Sequence, residues 1–184
     1  MDAPKRYHPV HVTLHWLVAL GVFSNIYHGI FVFRQQGMSG FLFGIPLQTL
    51  HMAVGIAILF FMLTRLILRY AIKRPADATS GHKSFDILAR VVHYGLYLTV
   101  LTVTLAGLVH SWQTQSFQTA FLGAQPDFNA TPASPGGFSI PLQTIHRLSA
   151  YLLASLVSLH ILAALYHQFI RGDNLLARMW YGGR

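Results

Sequence analysis

Residues 140–171 read IPLQTIHRLSAYLLASLVSLHILAALYHQFIR, an apolar run that carries His146 and His160 fourteen positions apart. At 100° per residue that spacing returns to within about 40° of the same helix face, and at 1.5 Å rise it separates the two imidazoles by roughly 21 Å. Two ligand-type side chains therefore share one face at two depths, as two stacked sites would require. The rest of the chain is read for what completes them.

The chain has 184 residues, 53% of them hydrophobic and only 10% charged, with a mean hydropathy of +0.46. A soluble domain carries about 25% charged residues, so membrane lipid is the natural solvent here. The formal net charge of +8 would raise nucleic acid as a partner in a soluble protein. Here the bases flank apolar runs, as the positive-inside rule requires, and nucleic acid is set aside. With no cysteine there is no disulfide, no Cys-ligated iron–sulfur cluster and no thioether-attached haem, so any haem is held non-covalently.

Four apolar segments, about 10–33, 47–72, 88–112 and 142–170, exceed the roughly 20 residues that span a bilayer. They predict an all-α fold: an integral membrane four-helix transmembrane bundle formed by residues 1–184 as one domain. The first segment is too long for a signal h-region and is read as a retained helix. Gly37, Gly40, Gly44 and Pro46, then Pro75, Ser80 and Gly81, then Pro126, Pro132, Pro135, Gly136 and Gly137 mark the connections. The third connection, about 113–141, is the longest; its FNATPASPGG stretch reads as irregular chain, and the sequon at Asn129 as accidental. Lys5, Arg6, Arg65, Arg69, Lys73, Arg74, Lys83, Arg90, Arg171, Arg178 and Arg184 fall on one side, against Arg34 and Arg147 on the other. Both termini are expected to be cytoplasmic.

A short repeat links the second and fourth segments: IPLQTLH at 45–51 and IPLQTIH at 140–146. In both, the proline suits a helix start and the histidine follows five residues later, which places His51 and His146 at matching depth. The repeat is open to a second explanation, the shared demands of two helix starts. His15, near the cytoplasmic start of the first segment, falls at the level of His160. The outcome is two pairs at two depths, His51 with His146 and His15 with His160.

Zinc wants four protein ligands, or three and a water, and no Asp or Glu lies within the apolar spans. Haem iron needs only two axial groups from the protein, which two imidazoles supply. Ala19, Gly55, Ala150 and Ala164, each four residues after one of these histidines, leave room for a flat macrocycle, or equally mark tight helix packing.

On these residues the sequence resembles the bacterial di-haem cytochrome b561 family, and is also similar to the cytochrome b subunits of membrane-bound hydrogenases. The matching pieces are HVTLHWLVAL around His15, TLHMAVGIAILFFMLTRLILR, RVVHYGLYLTVLTVTLAGLVHSW and IHRLSAYLLASLVSLHILAALYHQFIRGDNLLARM, nearly the whole chain. The resemblance implies two haem b groups with axial ligands His15 and His160 at the inner level and His51 and His146 at the outer one. Residues 125–138 carry no family motif.

Further candidates surround these four. His11 lies one turn before His15 and is an alternative ligand, although the His15-Trp16 pair carries the resemblance. His167 is open to contact with a propionate, a quinone or a proton path, or to snorkelling at the interface. The resemblance makes His93 a pocket residue, against a structural hydrogen bond. Arg65, fourteen residues after His51, faces the inner level as a propionate partner or as a snorkelled base. His28, about 140° off the face of His15, cannot reach the bundle centre. His28, His110 and Arg147 fall near the outer end as a basic patch.

The resemblance implies a quinone-linked, haem-dependent membrane oxidoreductase in the bacterial inner membrane that exchanges electrons with the quinone pool; some relatives oxidise superoxide and reduce ubiquinone. The alternative is a relay or anchor subunit fed by a partner redox protein. The chain has no G-x-G-x-x-G motif with which to take electrons from soluble two-electron donors. A haem-free, histidine-lined transporter is the third reading.

Overall fold

Proline and histidine open the first long helix. Pro9 sits in its first turn, where a missing N–H costs nothing, and the His8 ring nitrogen Nδ1 accepts from the Val10 amide at 3.3 Å as the cap. The computed structural model describes residues 6–33, 40–76, 81–123 and 141–181. Helix α1 covers Pro9–Tyr27 and runs on through a π turn, His28–Val32. A hairpin follows, Phe41–Leu42 (β1) against Ile45–Pro46 (β2), antiparallel. Its two turn residues, Phe43 and Gly44, both have positive φ (51° and 77°), as a two-residue turn between twisted strands demands.

Helix α2 spans Leu47–Ala71, α3 Lys83–Gln113, the two-turn α4 Ser116–Leu122, and α5 Leu142–Leu165. A π turn, Tyr166–Arg171, continues α5, and the chain closes with a 3-10 turn, Leu175–Met179. Four helices, Pro9–Val32, Leu47–Ala71, Lys83–Gln113 and Leu142–Arg171, are long and apolar enough to cross a membrane. Their outward faces carry Leu20, Phe60, Ile67, Leu98 and Leu162, with Leu98 69% exposed. An apolar surface of this extent belongs in lipid.

The two copies of the repeat fold alike. Pro46 and Pro141 are the cap residues of α2 and α5, with φ/ψ of −57°/133° and −57°/131°. Each proline stands one position before the first turn, and the Thr144 amide bonds the Pro141 carbonyl at 2.8 Å.

Two features differ from the hydropathy reading. Helix α3 starts at Lys83, ahead of its apolar span, because a polar first turn with Asp86 near the positive helix end extends it. The third connection is not wholly irregular either. Gln115, at φ 59°, breaks the chain after α3, α4 forms at once, and Gly123, at φ 64°, ends it. Arg34 and the Pro/Gly-rich stretch with Asn129 lie outside the described residues.

Helix α5 packs chiefly on α3, α1 on α2, and α2 on α3. A Cβ on Gly21 would lie 2.9 Å from Ile58 Cγ1, so this glycine lets α1 and α2 approach closely. The core is one layer at mid-height: Val18 and Val22, Ile58 and Met62, Val100 and Val103, and Leu153. In every helix those residues fall between an outer and an inner polar position. The apolar layer is a septum between two levels of histidine, His51 with His146 on one side and His15 with His160 on the other.

Candidate functional site

The outer chamber forms where α2 and α5 begin. The equivalent starts of these helices bring His51 and His146 face to face, with ring centroids 6.1 Å apart and planes at 74°. Both line a cavity of ≈ 470 Å³, together with Asn25, Gly55, Gly107 and Ala150. His146 Nδ1 lies 2.7 Å from the Val103 carbonyl oxygen, which only an N–H can approach as a partner, so Nδ1 donates and the Nε2 lone pair stays free.

Gly107 makes this contact possible. It stands one helical turn beyond Val103, and a Cβ there would come within 2.8 Å of the His146 ring. Asn25 of α1 uses a similar opening, since its Nδ2 donates to the His51 carbonyl at 3.1 Å beside Gly55. Two buried atoms are left over, His51 Nδ1 and Asn25 Oδ1, neither with a hydrogen-bond partner. An orphaned buried polar atom costs about 1–3 kcal/mol, which marks a place that a bound group completes. Arg147, His110, Gln48, Gln143 and Ser111 form a polar rim to the cavity.

The inner site draws on all four long helices. His15 of α1 and His160 of α5 stand 6.3 Å apart, centroid to centroid, with planes at 71°. His93 of α3 lies 5.2 Å from His160 and donates Nδ1–H to the Ala89 carbonyl at 2.7 Å. Arg65 of α2 donates from Nη1 to His15 Nδ1 at 2.8 Å. Its own Nε is buried without a partner, and among the described residues the ion pairs do not include it. Arg65 also lies over the Tyr97 ring, as Arg69 lies over Tyr94 and Tyr97.

These spacings can be set against what a metal held by two opposed imidazoles needs. Bonds of about 2.0–2.1 Å, plus about 1.1 Å from each nitrogen to its ring centroid, require centroids about 6.2–6.4 Å apart. The inner separation of 6.3 Å falls in that range and the outer one of 6.1 Å within 0.1 Å of it. Among the described residues no cluster of three or more His, Cys, Asp or Glu side chains is arranged to hold a bare ion. The donor set fits a group that brings its own equatorial ligands, as haem does. In one detail His15 departs from this. Accepting from Arg65 at Nδ1 leaves its proton on Nε2, so ligation through Nε2 requires Arg65 to let go and bond a carboxylate instead.

The other residues singled out in the sequence separate cleanly. His11 is buried against Tyr7, with ring centroids 6.2 Å apart, while His15 is the one that faces His160. His167 is engaged with Asp173 at 2.7 Å, and Arg171 reaches the same carboxylate at 3.5 Å. His28 donates to the Ser24 carbonyl at 2.8 Å and stays out of the pairs. Asn25 and Gly107 were missed. The signal for the first was an amide inside an apolar span, and for the second a glycine inside a helix, which costs about 1 kcal/mol against alanine and so asks for a reason.

Comparison with known proteins agrees in kind. The family model described as prokaryotic cytochrome b561 matches residues 6–182. A probable superoxide oxidase CybB of Yersinia pestis is 28% identical over 180 residues, covering 95% of this chain and 96% of that protein. A cytochrome b562 of Cereibacter sphaeroides is 29% identical, covering 97% and 98%. A cytochrome b561 homolog 2 of Escherichia coli is 26% identical, covering 97% and 93%.

Proposed function

Since the chain belongs to the prokaryotic cytochrome b561 family, a multi-pass bacterial membrane family of haem-mediated transmembrane electron transfer, we propose that it works through two b-type haems and exchanges electrons with the quinone pool. His51 and His146 hold the outer haem and His15 and His160 the inner one. The observation that carries this reading is the pair of centroid separations, 6.1 Å and 6.3 Å, on either side of one apolar septum.

Haem supplies one-electron redox chemistry when bound. The residues of this chain do the rest. His146 is oriented by the Val103 carbonyl, a second contact of the kind that fixes the tautomer and aim of a ligating imidazole. Arg65 offers a guanidinium to a carboxylate such as a propionate at the inner level, and Arg147 does so at the outer rim. The septum of Val18, Val22, Ile58, Met62, Val100, Val103 and Leu153 keeps water out between the two histidine levels, so electrons cross while bulk protons do not.

The relative named as a probable superoxide oxidase makes superoxide a donor to consider at the outer face. Two superoxide ions then give up one electron each and leave as dioxygen, and one quinone takes two electrons and two protons to become a quinol. On this reading the protein sits in the inner membrane with both termini in the cytoplasm, an orientation that the excess of bases beside those ends supports. A reduced-minus-oxidised spectrum of the purified protein, with haem counted per chain, tests the reading. Two b-type haems per chain are expected, and none would leave the haem-free transporter.

A further inference from the structure

The first and last helices carry the two inner histidines, yet α1 and α5 are not among the helix pairs that pack extensively. Something else must hold His15 and His160 at 6.3 Å. After Gly172 turns the chain, residues 175–181 return across the inner end of the bundle. The Trp16 indole N–H donates to the Met179 carbonyl at 2.9 Å, and the Trp16 and Trp180 rings meet edge to face at 5.8 Å. Thr13 Oγ1 lies 2.7 Å from the Tyr181 hydroxyl, and the Tyr7 amide donates to the Arg178 carbonyl at 3.2 Å. Arg178 Nη1 donates to the Ala76 carbonyl, 2.9 Å away in the segment after α2. The other face of the arrangement touches the site, since the Trp16 ring stands edge-on to His15 at 5.3 Å.

We propose that residues 175–181 form a strap that ties α1 to α5, and that Trp16, gripped by the strap, is a positioning residue for His15 opposite His160. The strap bridges the two ends of the sequence where the helices themselves leave a gap. The outer pair needs no such tie, because α3 packs on both α2 and α5 and supplies the Val103 carbonyl that aims His146. As far as it concerns haem, the inference rests on the ligand reading above.

The chain has no cysteine, so spin labels can be placed without background. Labels at Leu17→Cys on α1 and Leu162→Cys on α5 sit on lipid-facing positions near the inner pair, and Leu98→Cys with Leu162→Cys reports the α3–α5 packing as a control. In the full-length protein the first pair should give one narrow distance peak. Trp16→Phe, which keeps a ring but loses the N–H, and a stop codon at Leu175 should both broaden that peak and leave the control unchanged. An unchanged first pair, or equal broadening of both pairs, overturns the strap. In the haem-loaded protein Trp16→Phe should also shift the low-spin electron paramagnetic resonance signal and midpoint potential of the inner component alone. If the parent protein carries no inner component, the haem reading fails while the label distances still decide the strap.

Discussion

The imidazole of His146 on α5 reaches the Val103 carbonyl on α3 at 2.7 Å, through the space that Gly107 leaves by having no side chain. One hydrogen bond thus couples the packing of two membrane helices to the aim of the imidazole proposed to hold the outer haem. The same carbonyl belongs to a residue of the septum, so the outer chamber is anchored to the layer that closes it.

Gly107→Ala tests this coupling. The new Cβ would lie 2.8 Å from two atoms of the ring, and the α3 backbone that carries it cannot yield cheaply. The expected outcome is loss of the outer haem with the inner one kept, so haem per chain falls from two towards one. A variant with both haems and unshifted potentials would show that the ring has room elsewhere.

Arg65 is expected to act by charge. Its guanidinium lies at the inner level, 2.8 Å from His15 Nδ1. A nearby cation disfavours the more positive, oxidised iron, so its removal in Arg65→Gln should lower the inner midpoint potential by about 30–90 mV, while Arg65→Lys keeps most of it. Potentiometric titration separates this from simple snorkelling, which predicts no shift in either variant.

Leu153 is the contribution of α5 to the septum and only 4% exposed. Leu153→Ala should cost about 2–5 kcal/mol by leaving a cavity between the two histidine levels. Thermal unfolding in detergent, followed by loss of the haem absorbance, should show a lower midpoint with both components affected alike. Selective loss of one component would mean that the layer supports one histidine level alone.

Much of this was legible in the sequence because membrane helices must satisfy their own backbones and advertise their length. The spacing of His146 and His160 and the repeat at 45–51 and 140–146 put two pairs of histidines at two depths, and the structure brings those pairs together. What stayed hidden depends on which helices touch. Gly107 matters only because α5 presents His146 to that turn of α3. Asn25 matters because α1 crosses the start of α2 at His51. The role of residues 175–181 is a contact between the two ends of the chain, which no local pattern encodes. The helical face of His167 leaves it open to a site role or to snorkelling; its contact with Asp173 arises because Gly172 turns the chain back, which no helical pattern encodes.

The most direct test of the account is the assignment of haems to histidine pairs. His15→Ala, His51→Ala, His146→Ala and His160→Ala are each purified and their low-temperature difference spectra and haem content compared. The account predicts that His51→Ala and His146→Ala lose one and the same component, and that His15→Ala and His160→Ala lose the other. Loss of a single shared component in His15→Ala and His146→Ala would contradict it.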